Sequence, residues 1–338
     1  MRPKIIKIKK VFYAIGQGCF YSERLFFENE IRTIVYDCGS MQIEKLKKEI
    51  SNSGLKEIDY LIISHFHKDH INGIEFLKQN CTIKNVIIPK LEPLDVAFYL
   101  GSGNTIEDIL INPKNYFGNS NIIMVNSEGE SNELDTDTNL PSEITHMTPI
   151  PLYRIDSKIV WVIKLYIDKL EIDLNSLNDK QKETYDSLTT IDNYEKKKQD
   201  LIDAYKKLSR KNINLTSMSM VSGPKPHLWP YHHKMAISVL NGDILLNKEE
   251  KIKAFIDHYT EFGSHYFDFH IPHHGSHKNL KRPLNEWIIQ RGIVMSGYEN
   301  DHGHPSGVVL RKFSDSRIPV KKLTEFDKNY SKLIKFYV

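Results

Sequence analysis

The sequence contains no apolar run that approaches the ~20 residues needed for a membrane-spanning helix. The N-terminal stretch, Met1–Lys10, is basic but has no apolar segment long enough for a signal peptide. We therefore expect no membrane span and no secretion signal, and we place the protein in the cytoplasm.

Cysteine is scarce. The three cysteines, Cys19, Cys38 and Cys81, are odd in number and widely spaced, and no C-x-x-C pair occurs. This pattern argues against a disulfide framework and against a cysteine zinc site. We expect reduced thiols, as is usual in the cytosol.

The sequence also has no large excess of one charge, because it contains 46 Lys and Arg residues and 43 Asp and Glu residues, which give a net charge of +3. Overall charge therefore does not indicate a nucleic-acid or membrane partner, although a local basic groove stays compatible with it. A hydrophobic content of 40% and a charged content of 26% are typical of a soluble globular protein. The 338 residues suffice for a substantial core.

What the chain does have is a dense polar cluster directly after an apolar strand. Residues 59–63 have the character of a buried strand, and residues 71–77 have the apolar spacing of a helix. Between them lies the segment His65–His70, which holds three histidines and one aspartate. Rigid elements on both sides would hold this loop while its side chains converge on one point.

The spacing inside this segment favours metal binding. Residues two apart in an extended loop point the same way, so His65 and His67 can bind one ion. Asp69 and His70 can face a second ion. Imidazole nitrogen and carboxylate oxygen suit Zn²⁺, and also Mn²⁺ or Fe. The alternative, a solvated histidine-rich loop, is disfavoured because partner residues recur later in the chain.

Three later segments supply these partners. Asn241–Ile244 places Asp243 after a predicted strand, although alone this segment would be interpreted as a plain Gly-Asp turn. His273–Ser276 and Gly303–Pro305 each follow a further predicted strand. A fourth histidine group, His227, His232 and His233, is equally consistent with an exposed hairpin tip.

The segment His65–His70 resembles the H-x-H-x-D-H signature of the metallo-β-lactamase fold. The later segments resemble the T-G-D, HHGS and Gly-His-Pro motifs of the branch that includes the soluble nuclease-like domain of the ComEC DNA-uptake proteins, with Asn241 in place of Thr. The resemblance covers residues 5–90 and 212–325. It implies an α/β fold, an αββα sandwich.

The resemblance also implies a site with two divalent metal ions, with zinc as the first expectation and manganese as the second. The first ion would take His65, His67 and Asp243, and the second would take Asp69, His70, Asp243 and His274. Asp69 would orient a metal-bound hydroxide, and His304 would act as a general acid or contact the phosphate. His273 would be only the neighbour of the ligand His274.

The ligand set of the first ion is incomplete. Most proteins with this signature have a further histidine between the first loop and the bridging aspartate, and no residue here is a convincing match. Asn214, His146 and His227 are the options.

Two further features are expected to support the site. Gly16-Gln17-Gly18 forms either an ordinary hairpin turn or the G-Q-G turn of ComEC-like domains, but Cys19 replaces the acidic residue that usually follows. Asp37, at a strand end, is either a turn former or a hydrogen-bond partner that fixes a ligand histidine. We favour the second role for Asp37.

We expect one domain, residues 1–338, with a helical insertion at residues 170–211. The insertion is rich in Lys, Asp, Glu and Asn, lacks Gly and Pro, and has apolar residues at helical spacing. A solvated cover, a lid, a substrate clamp and a dimer contact are all open roles for it.

The function expected from these residues is a metal-dependent hydrolase, a phosphodiesterase or nuclease that cleaves DNA or RNA. Fold alone does not select the substrate. The alternatives are a small-molecule hydrolase that acts on a cyclic or signalling nucleotide or another ester, and a metal-stabilised scaffold that binds a partner. Because an unrestrained nuclease is toxic, we also expect control by a partner protein, a homodimer or the insertion.

Overall fold

The computed structural model describes residues 5–27, 30–131, 134, 140–155, 158–169, 179, 216–225 and 236–337. Of the predicted insertion at 170–211, only residue 179 belongs to the described part, and Asn214, His227, His232 and His233 lie outside it.

The first sheet combines an N-terminal antiparallel half with a parallel half. Its strands are β1 Ile5–Phe12, β2 Gly18–Phe26, β3 Ile31–Ser40, β4 Glu57–Ile62, β5 Thr82–Pro89, β6 Asn121–Asn126, β7 Glu143–Thr145 and β15 Tyr330–Tyr337. Within the described residues their order is β15-β1-β2-β3-β4-β5-β6-β7. The strands from β3 to β7 run parallel.

The second sheet is built in the same mixed way. Its strands are β8 Ile150–Ile155, β9 Lys158–Asp168, β10 Ser217–Pro224, β11 Ser238–Leu240, β12 His265–His270, β13 Ile288–Met295 and β14 Val320–Leu323. The order in the described residues is β14-β13-β12-β11-β10-β9-β8, and the strands from β11 to β14 run parallel.

The helices connect the parallel strands and bury apolar side chains against the sheets. They are α1 Ile43–Asn52, α2 Lys68–Ile71, α3 Ile74–Asn80, α4 Pro93–Ser102, α5 Glu107–Ile111, α6 Pro113–Phe117, α7 Glu249–His258 and α8 Gly307–Asp315. In α8, Val309 and Phe313 are buried one turn apart, and the Ser306 side chain accepts a hydrogen bond from Val308 N at the start.

Three apolar clusters divide the molecule into four layers. One cluster lies between the two sheets and includes Phe12, Tyr60 and Trp161. A second packs α1, α3 and α4 on the outer face of the first sheet, and a third packs α7 and α8 on the outer face of the second sheet. Each sheet therefore buries both faces, which gives the predicted αββα sandwich.

The helix predicted at residues 71–77 is interrupted. Helix α2 ends at Ile71 and α3 begins at Ile74. The interruption comes from tertiary packing, because Gly73 N donates to Cys38 O (2.9 Å) and a Cβ on Gly73 would lie 2.4 Å from Leu46 Cδ2. The chain must turn here to bring α2 against β3.

The carboxyl ends of the parallel strands in both sheets meet at one edge of the sandwich. The loops after β4, β11, β12 and β13 carry His65–His70, Asp243, His273–His274 and His304, respectively. Open α/β sheets bind ligands at this edge. Among the described helices, none is both long and apolar enough to cross a membrane.

Candidate metal centre

The loop after β4 is held in place by Asp37. Its carboxylate accepts hydrogen bonds from Ser64 N (2.7 Å) and Ser64 Oγ (2.7 Å), and Ser64 Oγ also lies 2.9 Å from His65 Nδ1. With Nδ1 occupied in this way, His65 presents Nε2 to the interior of the site. Asp37 therefore has the supporting position that the sequence favoured.

Helix α2 carries the second pair of predicted ligands. Nδ1 of His70 donates to Asp37 Oδ2 at 2.7 Å, which leaves Nε2 of the ring facing Asp243. Gly39 makes this approach feasible, because a Cβ there would lie 2.4 Å from the backbone carbonyl carbon of His70.

Asp243 stands between the two groups of histidines. Its Oδ2 lies 3.4 Å from His65 Nε2 and 3.9 Å from His67 Nδ1, whereas Oδ1 lies 3.7 Å from His70 Nε2. Asp243 N donates to Ser217 Oγ (3.0 Å), and Asn279 Nδ2 donates to Asp243 O (2.9 Å). The two carboxylate oxygens thus face different donors, as a bridging ligand requires.

Asn241, two residues before Asp243, joins two strand ends. Its Nδ2 donates to His270 O (2.6 Å), and His270 Nδ1 donates to Asn241 O (2.5 Å). Ser219 Oγ completes the network by donating to Asn241 Oδ1 (2.8 Å). Burial, together with the charge of His274, lowers the pKa of His270 to about 4, so the ring is neutral. The network fixes Asp243 relative to the loop after β12.

In that loop, the two adjacent histidines point to different parts of the site. His274 Nδ1 donates to Met295 O (2.9 Å), and its Nε2 lies 3.0 Å from Asp69 Oδ2. His273 was predicted to be only the neighbour of the ligand His274. In the structure its Nδ1 lies 3.6 Å from Asp243 Oδ2. Both residues have positive φ angles, 48° and 53°.

His304 lies at the rim of the same cluster. Its ring centroid is 5.6 Å from that of His273 and 6.3 Å from that of His274. Asn300 closes the loop, because Asn300 Oδ1 accepts from His304 N (2.8 Å). Burial and the neighbouring charges of His273 and His274 lower the pKa of His304 to about 4.

The G-Q-G turn contacts the start of this loop. Gly297 N donates to Gln17 Oε1 (3.2 Å), and Gln17 N donates to Gln42 Oε1 (2.8 Å). The thiol of Cys19 lies near Asp37 and His70, but burial and the charge of Asp37 raise its pKa well above the usual range. Cys19 thus remains a neutral thiol beside the site.

The electrostatics favour two ionised carboxylates. Burial alone would raise the pKa of Asp69, but His70 and His274 outweigh it and hold this pKa below its usual range. Burial opposes ionisation of Asp243 in the same way, and His273 and His65 hold its pKa well below the usual range. Both carboxylates are therefore available as metal ligands at neutral pH.

The donor set fits divalent cations. His65, His67 and Asp243 offer ligand atoms within 4.8 Å of one another, and so do Asp69, His70 and His274. Five buried side-chain atoms of this cluster and its rim have no hydrogen-bond partner among the described residues: His65 Nε2, His70 Nε2, Asp243 Oδ1, His273 Nδ1 and His304 Nδ1. Such buried polar atoms are costly unless a ligand satisfies them.

His146, one option for the missing ligand of the first ion, is engaged elsewhere. Its Nδ1 accepts from Ile167 N (3.3 Å), and its ring packs against those of Tyr166 and His258. It belongs to none of the three groups of possible metal ligands found in the described part of the chain. The other two options, Asn214 and His227, lie outside that part.

Comparison with known proteins agrees with the fold. The model of the metallo-beta-lactamase superfamily matches residues 25–151. A ribonuclease Z from Clostridium tetani (strain Massachusetts / E88) is 28% identical over 137 residues, which are 38% of this chain. The match spans only 42% of that relative.

Solved structures with low sequence identity cover nearly the whole chain. The metallo-beta-lactamase fold protein YhfI from Bacillus subtilis is 11% identical, with a TM-score of 0.42 over 96% of this chain and 100% of that one. The short form of human tRNase Z is 10% identical, with a TM-score of 0.45 over 96% of this chain and 98% of that one. The two mixed sheets between helical layers and the superfamily match give the chain a metallo-β-lactamase fold, as predicted. The resemblance to the ComEC branch stays a prediction.

Proposed function

We propose that the protein is a two-metal phosphodiesterase that cleaves a nucleic acid. The observation that carries the proposal is the position of Asp243, whose Oδ2 faces His65 and His67 while its Oδ1 faces His70. One carboxylate between two sets of donors is the arrangement that holds two cations a few ångströms apart.

The first cation would be held by His65, His67 and Asp243, and the second by Asp69, His70, Asp243 and His274. When bound, two divalent cations lower the pKa of water and neutralise charge on a phosphoryl oxygen. Zinc suits these nitrogen and oxygen donors best, and manganese is the alternative.

The chain's own side chains supply positioning and proton handling. Ionised Asp69 can accept a hydrogen bond from the attacking water through one carboxylate oxygen, while its Oδ2, 3.0 Å from His274 Nε2, faces the position of the second cation. His304, with a pKa of about 4, is neutral at pH 7 and would donate a hydrogen bond to a phosphoryl oxygen. Because the neutral ring carries no additional proton to give up, a contact with the phosphate is favoured over the role of general acid. The sequence left both roles open for His304.

Similarity to a ribonuclease Z supports a polynucleotide substrate, and RNA is the first candidate. The ComEC-like motifs support DNA as the second candidate. The protein would act in the cytoplasm, and residues 170–211 or a partner protein would restrain it.

The test pairs metal content with cleavage. Purified protein is assayed for bound metal by mass spectrometry and for cleavage of single- and double-stranded RNA and DNA and of a chromogenic phosphodiester. Asp243→Ala is expected to lose metal and cleavage together, whereas Asp257→Ala, which changes an exposed residue of α7, keeps both.

Two other outcomes would redirect the proposal. Two bound metals without polynucleotide cleavage, but with turnover of a cyclic or signalling nucleotide, would identify a small-molecule phosphodiesterase. Cleavage that survives in Asp243→Ala would overturn the two-metal assignment.

A further inference from the structure

The oxygen Oδ2 of Asp243 has three histidine nitrogens around it, not two. His65 Nε2 lies at 3.4 Å, His273 Nδ1 at 3.6 Å and His67 Nδ1 at 3.9 Å. Two donor atoms of one tetrahedral zinc, each about 2.0–2.1 Å from the ion, are separated by about 3.4 Å. The distance from His273 to the carboxylate therefore matches that of donors which share one ion.

The nitrogen of His273 that faces Asp243 is buried although the side chain is not. The side chain is 38% exposed, yet Nδ1 is shielded from solvent and has no hydrogen-bond partner among the described residues. A partly exposed imidazole could rotate so that this nitrogen forms a hydrogen bond with water at little cost. The ring instead directs Nδ1 into the site, and a buried polar atom of this kind requires a partner.

The backbone enforces this orientation. His273 N donates to Gly242 O (3.2 Å), directly beside Asp243. His273 and His274 both adopt the left-handed region, with φ angles of 48° and 53°, which costs on the order of 1–2 kcal/mol for each non-glycine residue. The unusual turn directs His274 to Asp69 and His273 to Asp243, so that one dipeptide serves both halves of the site.

We propose that His273 Nδ1 is the fourth protein ligand of the first metal ion, beside His65 Nε2, His67 Nδ1 and Asp243 Oδ2. This inference rests on the proposed two-metal function. It fills the position for which the sequence offered only Asn214, His146 and His227. The ligand atoms of His65, His67 and Asp243 all lie within 4.8 Å of one another, and His273 is not part of that group although its Nδ1 is 3.6 Å from Asp243 Oδ2. Coordination by His273 therefore requires a shift of its ring toward His65 and His67.

The proposal changes the chemistry of the first ion. Three imidazole nitrogens and one carboxylate oxygen would give the first ion four protein ligands, one more than a catalytic zinc site with two histidines and one carboxylate has, and a bound water would be its fifth ligand. The two ions would then have different surroundings, because the second takes two nitrogens and two carboxylate oxygens. Removal of His273 should therefore lower the binding affinity of only the first of the two ions.

Zinc titration tests this expectation. Wild type should bind two zinc ions per chain, and His273→Ala should retain one while the other binds on the order of 100-fold more weakly, since even outer partners of ligands contribute 10–100-fold. His65→Ala should give the same pattern. His277→Ala, which removes an exposed histidine four residues farther along the chain, should bind zinc as wild type does.

A second variant gives a spectroscopic signature that a structural role would not produce. In His273→Cys loaded with Co²⁺, a thiolate ligand should add a near-ultraviolet charge-transfer band that is absent from wild type and from His277→Cys. The three native cysteines are buried and common to all variants, so they cancel in the difference spectrum. Circular dichroism checks that each variant is folded.

The possible results separate the two proposals. Two tightly bound zinc ions in His273→Ala, with only KM raised, would make His273 a substrate contact and overturn this inference alone. The absence of a thiolate band in folded His273→Cys would also overturn it. A wild-type protein that binds no metal would overturn both the metal centre and this ligand.

Discussion

Nδ1 of His70 lies 2.7 Å from Oδ2 of Asp37, and this hydrogen bond determines which nitrogen of the ring faces Asp243. The same carboxylate accepts from Ser64 N and Ser64 Oγ, and Ser64 contacts His65. One buried aspartate therefore orients a histidine from each half of the site. This explains how the loop after β4 is organised.

Replacement of Asp37 by Asn should lower the affinity for the second metal ion by about 10–100-fold, which is the range found when the hydrogen-bond partner of a metal ligand is removed. The amide nitrogen would place N–H groups against Ser64 Oγ and His70 Nδ1, which donate to Asp37 Oδ2 in the wild type. Because two donors cannot form a hydrogen bond, the ring of His70 loses its fixed orientation. Zinc titration measures the change.

Asp59→Asn is the matched control for this variant. Asp59 is buried on the neighbouring strand β4 and accepts from Thr33 N (2.8 Å), but it lies outside the donor groups. It should reduce stability without changing zinc affinity. Unchanged zinc affinity in a folded Asp37→Asn protein would show that Asp37 does not orient the ligand.

The layered fold was predicted through the resemblance that the segment His65–His70 carries, while single strands such as residues 59–63 were visible as local apolar patterns. The same resemblance predicted that Asp243 and His274 join His65–His70, and in the structure each of these segments follows a strand of the parallel halves. The role of His273 was not visible, because spacing does not tell which way two consecutive histidines point. Positive φ angles and the contact with Gly242 decide that. The break at Gly73 was missed for a similar reason, because it depends on contacts with the distant residues Leu46 and Cys38.

Gly39 should be sensitive to the addition of a single methyl group. In Gly39→Ala the Cβ would lie within 2.4 Å of backbone atoms of His70 and Ile71, and backbone cannot move aside as a side chain can. We expect a loss of about 3 kcal/mol in the free energy of unfolding, at the upper end for overpacking, together with weaker metal binding. Urea unfolding and zinc titration measure both.

Gly307 provides the comparison for Gly39. No atom lies within 4 Å of a Cβ built there, and it occupies the first position of α8. Gly307→Ala should be neutral or slightly stabilising, since alanine favours helix. Equal effects of the two substitutions would contradict the close packing of β3 against α2.

Asp268 should make stability depend on pH outside the metal site. Burial raises its pKa from 3.8 to about 6, although the charges of Lys10 and Lys332 oppose the rise. A carboxyl with a raised folded-state pKa stabilises the fold at low pH, and this stabilisation is lost as pH rises from about 4 through about 6. Asp268→Asn removes this titration.

The variant should therefore gain stability relative to wild type by up to about 3 kcal/mol between pH 3.5 and pH 7, at about 1.4 kcal/mol per pKa unit. Urea unfolding at a series of pH values measures the difference. Asp315→Asn, at an exposed residue of α8, serves as the control. A constant difference between wild type and Asp268→Asn across this range would show that the pKa of Asp268 is the same in the folded and unfolded protein, which contradicts the effect of burial.

Removal of metal should destabilise the folded protein, because the donors that bind it exist together only after folding. Each ion present at a hundredfold excess over its dissociation constant contributes about 2.7 kcal/mol. At about 2–4 °C per kcal/mol, the loss of two ions should lower the melting temperature by about 10 °C or more. Thermal unfolding with and without a chelator at pH 7.5 measures the shift.

Asp243→Ala, which lacks the carboxylate shared by both ions, should melt at the same temperature in both conditions. A chelator-induced shift of equal size in Asp243→Ala would mean that the stabilising metal binds somewhere other than between His65, His70 and Asp243.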